Sequence, residues 1–257
     1  MLRISNKEII DVVKYSDDKV IIVEKVLLGD FSSYKPNYFV IDLNSGDKEV
    51  ITKNAYLMIK FGSSYESIIA AVNNYAECES MILPSKNVLV VFPNGQAGVF
   101  DSDGEIKWNG TLKYNDSIVN GLAADGEYFW ACCKEQNCVI RYTAENAKID
   151  IRIGSANAET FVNPEFVSQD DEYIYVCCNS SNVRRIDKSN FVVSDVGSVV
   201  PGLKRYYKFG DTSILCTASG AYMDNGKSLS TSCRLLRKIL NFVFLRTLLY
   251  LVKTYSV

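Results

Sequence analysis

Short apolar runs, each broken by a cluster of Asn, Asp, Gly or Ser, make up the chain as far as residue 228. KVIIVEKVLL (Lys19–Leu28), NVLVVF (Asn87–Phe92), YFWACC (Tyr128–Cys133), YIYVCC (Tyr173–Cys178) and SILCT (Ser213–Thr217) are the clearest. They are rich in the β-branched and aromatic residues that suit a pleated, packed surface, and they predict strands. Asn44–Gly46, Asp101–Gly104 and Asp224–Gly226 supply residues that tolerate positive φ and predict the turns between them. No run before residue 229 holds a helical period for three turns, and Ser67–Leu83 reads as a further hairpin-like pair. At residue 229 the text changes to RLLRKILNFVFLRTLLYLV (Arg234–Val252), and residues 229–257 contain no Asp, Glu, Gly or Pro.

The body repeats itself. DGEYFWACC (Asp125–Cys133) returns as DDEYIYVCC (Asp170–Cys178), 45 residues on. Each is followed by a polar loop, KEQN (Lys134–Asn137) or NSSN (Asn179–Asn182). Further copies lie at Ser85–Trp108 and Phe209–Gly226, and another begins at Ser16. A unit of this length accommodates four short strands and their turns, the usual period of a propeller blade. A β-sandwich also has closely spaced strands but leaves the shared unit unexplained. The expected fold is therefore an all-β propeller of about five to six short blades over residues 1–228, the Ser67–Leu83 pair being the sixth. A basic, apolar tail over residues 229–257 stands outside the repeat. A ring must close to avoid an open strand edge, and Lys7–Tyr15 is the expected closing strand.

VIDLNSGDKEVI (Val40–Ile51) and VFDSDGEIKW (Val99–Trp108) resemble the segment that joins the third and fourth strands in propeller repeats of the YVTN, NHL and quinoprotein-like type. The resemblance implies blades and no specific family. Only Trp108 fills the tryptophan position of the quinoprotein repeat, so no quinone cofactor is implied. The Gly-His and Trp-Asp pairs of WD40 repeats have no counterpart.

Composition narrows the chemistry. The chain has no histidine, which removes Ser-His-Asp and Cys-His nucleophile activation and every imidazole metal site. Lys and Arg number 28 against 30 Asp and Glu, so there is no electrostatic footprint for nucleic acid. The tail carries +5 and the body −7. Contact of the tail with an anionic membrane surface is a weaker expectation than packing against the propeller. The first twenty residues hold no apolar run of signal-peptide length, which points to a cytoplasmic protein.

Four sets of residues carry candidate chemistry. The eight cysteines sit mostly in strand-like runs and read as free, buried core residues. Cys132–Cys133 and Cys177–Cys178 are neighbours on strands, where successive side chains face opposite ways, so neither pair converges on a metal. Cys133 and Cys138 flank a turn, and Val183 opposite Cys178 is the expected equivalent of Cys138. Tyr128, Trp130, Tyr173, Tyr175 and Trp108 are expected to pack between sheets. The carboxylates fall mostly at turns.

The loops joining the second and third strands of successive blades gather on one rim around the axis. They present Asn73, Asn74, Asn94, Gln96, Gln136, Asn137, Asn179 and Asn182, the candidate ligand-binding residues. No catalytic residue, metal site or cofactor is assigned. The expected function is a non-catalytic binding or scaffold module presenting this polar face to a protein or small ligand. The alternative is a divalent-metal-dependent propeller hydrolase or lactonase.

Overall fold

Each repeat folds into one four-stranded antiparallel sheet, and five such sheets surround a common axis to form a β-propeller. The computed structural model describes residues 1–29, 33–72, 75, 78–92, 94–198 and 200–226. From the axis outward, blade 1 comprises Ile9–Lys14, Lys19–Leu27, Tyr34–Asp42 and Lys48–Val50. Blade 2 comprises Glu79–Ile82, Val88–Val91, Gln96–Phe100 and Ile106–Thr111. Blade 3 comprises Asn120–Asp125, Tyr128–Cys133, Cys138–Thr143 and Ile149–Gly154. Blade 4 comprises Pro164–Gln169, Tyr173–Cys178, Asn182–Asp187 and Val193–Ser198. Blade 5 comprises Leu203–Phe209, Thr212–Thr217, Gly220–Asp224 and, outermost, Leu2–Ser5. The tail lies outside the described residues.

The strand runs are apolar throughout because a blade is covered on both faces. Cys132 packs into the core shared by blades 3 and 4, and its neighbour Cys133 into the core shared by blades 2 and 3. Cys177 and Cys178 divide in the same way. All seven described cysteines are buried and free. Outer strands such as Lys48–Val50 are exposed and polar at most positions, which blunts the sheet edge. Equivalent aromatics use equivalent partners: the Trp130 indole donates to Asp125 at 2.8 Å, and the Tyr175 hydroxyl to Asp170 at 2.6 Å. The aspartates before the outer turns accept backbone N–H groups two or more residues on: Asp42 from Asn44 and Ser45, Asp101 from Asp103 and Glu105, Asp187 from Ser189. That role accounts for the aspartate in the segments carrying the family resemblance.

Three expectations are corrected. The closing strand is Leu2–Ser5, paired antiparallel with Gly220–Asp224, while Ile9–Lys14 is the innermost strand of blade 1. Ile9 and Val12 bury in the core, and the run's apolar density suits that covered position better than an outer edge. Gly220 (φ 157°) lets the closing strand approach: a Cβ there would stand 2.5 Å from the Ser5 carbonyl oxygen. In blade 4 the turn is one residue shorter than in blade 3, so Cys178 pairs with Asn182 and Val183 with Cys177, whereas Cys133 pairs with Cys138.

The third correction is the Ser67–Leu83 segment, which is neither a hairpin nor a sixth blade. Helix α1 (Lys53–Phe61), a short 3₁₀ turn and helix α2 (Tyr65–Ala71) lead into Glu79–Ile82, the innermost strand of blade 2. Thr52 caps α1 by accepting from the Ala55 N–H, and Gly62 (φ 62°) ends it. Tyr56, Leu57, Lys60 and Phe61 are the buried positions of α1, one helical face. Tyr56, Leu57 and Phe61, with Ile68, fill the space between Ile21 and Val23 of blade 1 and Val88 and Val90 of blade 2. The helices are a wedge in the ring.

Candidate functional site

The innermost strands surround an axial channel that opens where those strands begin, beside the turns between second and third strands. Its mouth, a cavity of about 350 Å³, is lined by Glu8, Asn120, Lys134, Glu165, Lys204 and Arg205 among others. A neck of about 110 Å³ shares Asn120, Glu165, Phe166 and Arg205 with the mouth. Beyond it a chamber of about 210 Å³ shares Glu79 and Phe166 with the neck and is walled by residues of all five innermost strands.

Charge is concentrated along this path. Lys134 pairs with Glu165 at 2.6 Å, and Ser180 donates to the same carboxylate at 3.2 Å. Burial works against the Glu165 charge, but Lys134 and Ser180 outweigh it and hold the carboxyl below its ordinary pKa. Deeper in, Arg205 of blade 5 pairs with Glu79 of blade 2. Asp11 of blade 1 accepts from the Tyr56 hydroxyl at 2.6 Å and the Lys60 ammonium at 2.7 Å, both on Oδ2. Tyr56 and Lys60 are four residues apart on α1, so one helical face delivers both donors to one carboxylate. Lys60 also donates to the Cys78 carbonyl at 2.6 Å. Burial disfavours the Lys60 ammonium, yet the charges of Asp11, Cys78 and Glu79 outweigh it and its pKa stands above the ordinary value. For Glu79 burial dominates, and its carboxyl is pushed up in spite of Arg205.

The rim residues singled out from the sequence serve mainly the turns. The Asn94 amide donates to Gln96 at 3.1 Å, and the Gln96 N–H returns to Asn94 at 3.0 Å. Gln136 donates to the Ser117 hydroxyl at 3.2 Å, and Asn137 (φ 48°) accepts from the Asn163 N–H at 3.0 Å. Asn179 (φ 50°) donates its N–H to the Asn163 carbonyl at 3.2 Å. Asn182 is the exposed first residue of a strand rather than a loop residue. Asn73 and Asn74 lie outside the described residues, and their segment precedes blade 2 instead of joining its second and third strands. None of the described six lines the mouth, neck or chamber; among the described residues of the same turns, Lys134 lines the mouth and Phe92 the neck.

Asp11, Lys60, Arg205 and Tyr207 were not among the sequence candidates, and Glu79 counts there only among the turn carboxylates, paired with Glu77. The available signal was a charge inside an apolar run: IIDVVK for Asp11, ESMI for Glu79, LKRYYKF for Arg205. A strand that lines an axis is the place where such a charge is tolerated.

No family model matches the chain, and no curated protein sequence does. Among solved structures it is similar to streptogramin B lyase, at 12% identity over 87% of this chain and 70% of that one, with a TM-score of 0.41. It is similar to BamB from Moraxella catarrhalis, at 11% identity over 85% and 62%, with a TM-score of 0.40. It is also similar to the glutaminyl cyclase of Myxococcus xanthus, at 9% identity over 54% and 60%, with a TM-score of 0.41. The last two alignments span less than two thirds of those chains.

Proposed function

We propose that the chain is a non-catalytic binding module whose working surface is the charged mouth of the axial channel. One observation carries the reading: mouth, neck and chamber share lining residues and form one path into the ring, with charged side chains at every level. Interior charges are costly to keep, so several of them along one path support a use for that path. The Asn- and Ser-bearing turns surround that mouth and hold its rim in shape. A metal-dependent hydrolase is less well supported. Asp11 and Glu79 already face Lys60 and Arg205, and among the described residues no three His, Cys, Asp or Glu side chains are grouped to hold an ion.

The test is a thermal-shift panel of sugars, nucleotides, organic acids, amino acids and short peptides on the full chain. A triple variant, Glu8→Ala, Lys134→Ala and Lys204→Ala, serves as the comparison. At least one class is expected to raise the melting temperature of the parent and to do so less in the variant. A panel with no stabilising class, or stabilisation equal in a folded variant, rejects the mouth as the working surface.

A further inference from the structure

The chamber is balanced in charge, its lining carrying Asp11 and Glu79 against Lys14 and Lys60, while Arg205 in the adjoining neck pairs with Glu79; it is not balanced in hydrogen bonding. Tyr207 is 8% exposed, and its buried hydroxyl donates to no acceptor, the Arg205 guanidinium being the polar group beside it. Its ring is fixed edge-on to Phe166 (centroids 5.3 Å apart) and stacked on Phe209 (6.3 Å), so the hydroxyl cannot swing away to find one. Burial pushes its pKa well above the ordinary value, which keeps the phenol protonated and a donor. Two residues earlier on the same strand, Arg205 packs its guanidinium over Phe166 at 4.9 Å and meets Glu79 through Nη1 alone. On the acidic side, Oδ1 of Asp11 takes no part in the bonds from Tyr56 and Lys60, and Oε2 of Glu79 none in the pair with Arg205.

We propose that the chamber binds a small zwitterion, chemically a free amino acid. The Tyr207 hydroxyl, with Arg205 at the junction of neck and chamber, takes its carboxylate, and the spare oxygens of Asp11 and Glu79 take its ammonium. An occupant of zero net charge preserves the existing balance, whereas an anion or cation alone leaves one buried charge uncompensated. The chamber has room for several water molecules at about 30 Å³ each. Leu122, Phe166, Val167 and Phe209 in its wall accommodate a short apolar side chain. The inference rests on the reading of the mouth as the way in.

Calorimetric titration of the full chain at pH 7 tests it, with L-alanine, L-serine and L-leucine as probes. Lactate and propionate supply the carboxylate without the ammonium, and ethylamine the ammonium without the carboxylate. An amino acid is expected to bind at least tenfold more tightly than either half. Tyr207→Phe keeps the ring and is expected to lower that affinity about tenfold or more, the scale of a hydrogen bond to a charged group. Equal binding of an acid or the amine, or unchanged affinity in Tyr207→Phe, overturns the proposal. If no amino acid binds while a sugar or peptide still engages the mouth, this inference fails and the binding-module reading stands; if nothing binds, both fail.

Discussion

Lys60 reaches out of helix α1 to meet Asp11 of blade 1 at 2.7 Å, with the two side chains only 3% and 5% exposed. The pair fastens the wedge to the axis: it ties a helix inserted between two blades to the innermost strand of one of them. Lys60→Met leaves Asp11 buried without its cation. The expected loss is about 3–5 kcal/mol of unfolding free energy, read by urea denaturation. Adding Asp11→Asn is expected to cost much less than the sum of the two single changes. Strict additivity would show that the two side chains do not depend on each other.

Ring closure depends on Gly220. Gly220→Ala places a methyl group against the Ser5 carbonyl at a backbone angle that L-residues rarely adopt. A loss of about 1–3 kcal/mol is expected, by analogy with other strained backbone positions. Amides of Leu2–Ser5 should then exchange with deuterium faster than those of blade 3. Unchanged exchange in Leu2–Ser5 would mean that the strand is held by something other than this close approach.

The turn aspartates set a dependence on acid. Lys107 and the Glu105 and Asp103 N–H groups hold Asp101 below its ordinary pKa of 3.8. The Ser45 and Asn44 N–H groups do so for Asp42, and the Ser189 hydroxyl and N–H for Asp187. A carboxyl depressed in the folded state adds stability above its unfolded pKa and loses it as pH falls through the folded one. The urea midpoint is therefore expected to drop below about pH 4, and the drop to be shallower in the triple Asp→Asn variant. A variant as steep as the parent would assign the acid response to other groups.

Thiol chemistry is the fourth check. In a Cys233→Ser variant the remaining seven thiols are buried. Burial pushes Cys216 up to about 12 and Cys178 up to about 11. Cys133 is the exception, held below its ordinary pKa chiefly by a hydrogen bond from Cys138. Ellman's reagent should find almost nothing in the native variant and seven thiols after denaturation. If one thiol reacts first, Cys133 is expected, and prompt reaction of several would show that the blade cores open readily.

The repeat was legible because it is written in local chemistry. Apolar runs such as Tyr128–Cys133, covered on both faces, and turn aspartates such as Asp101 announce themselves within a few residues. The wedge did not, because Tyr56, Leu57, Lys60 and Phe61 form a face only at helical spacing, over fewer than three turns. The closing strand did not, because Leu2–Ser5 owes its place to residues more than two hundred positions away. The axial charges were hidden for a related reason: Glu79 and Arg205 are separated by 126 positions, and nothing near either announces the other. The Asn and Gln of the rim stood out for their polarity, but amides such as Asn94 and Asn137 spend their hydrogen bonds on the backbone and on one another.

Because Leu2–Ser5 lies in the sheet of residues 203–224, no blade is terminal. A linear array of repeats can fray from an end, one unit at a time, while the rest survives. Here the loss of any blade breaks contacts on both sides of it and exposes an apolar face in each neighbour. The described residues are therefore built to unfold as one cooperative unit, with a single transition and nearly uniform protection of the inner strands.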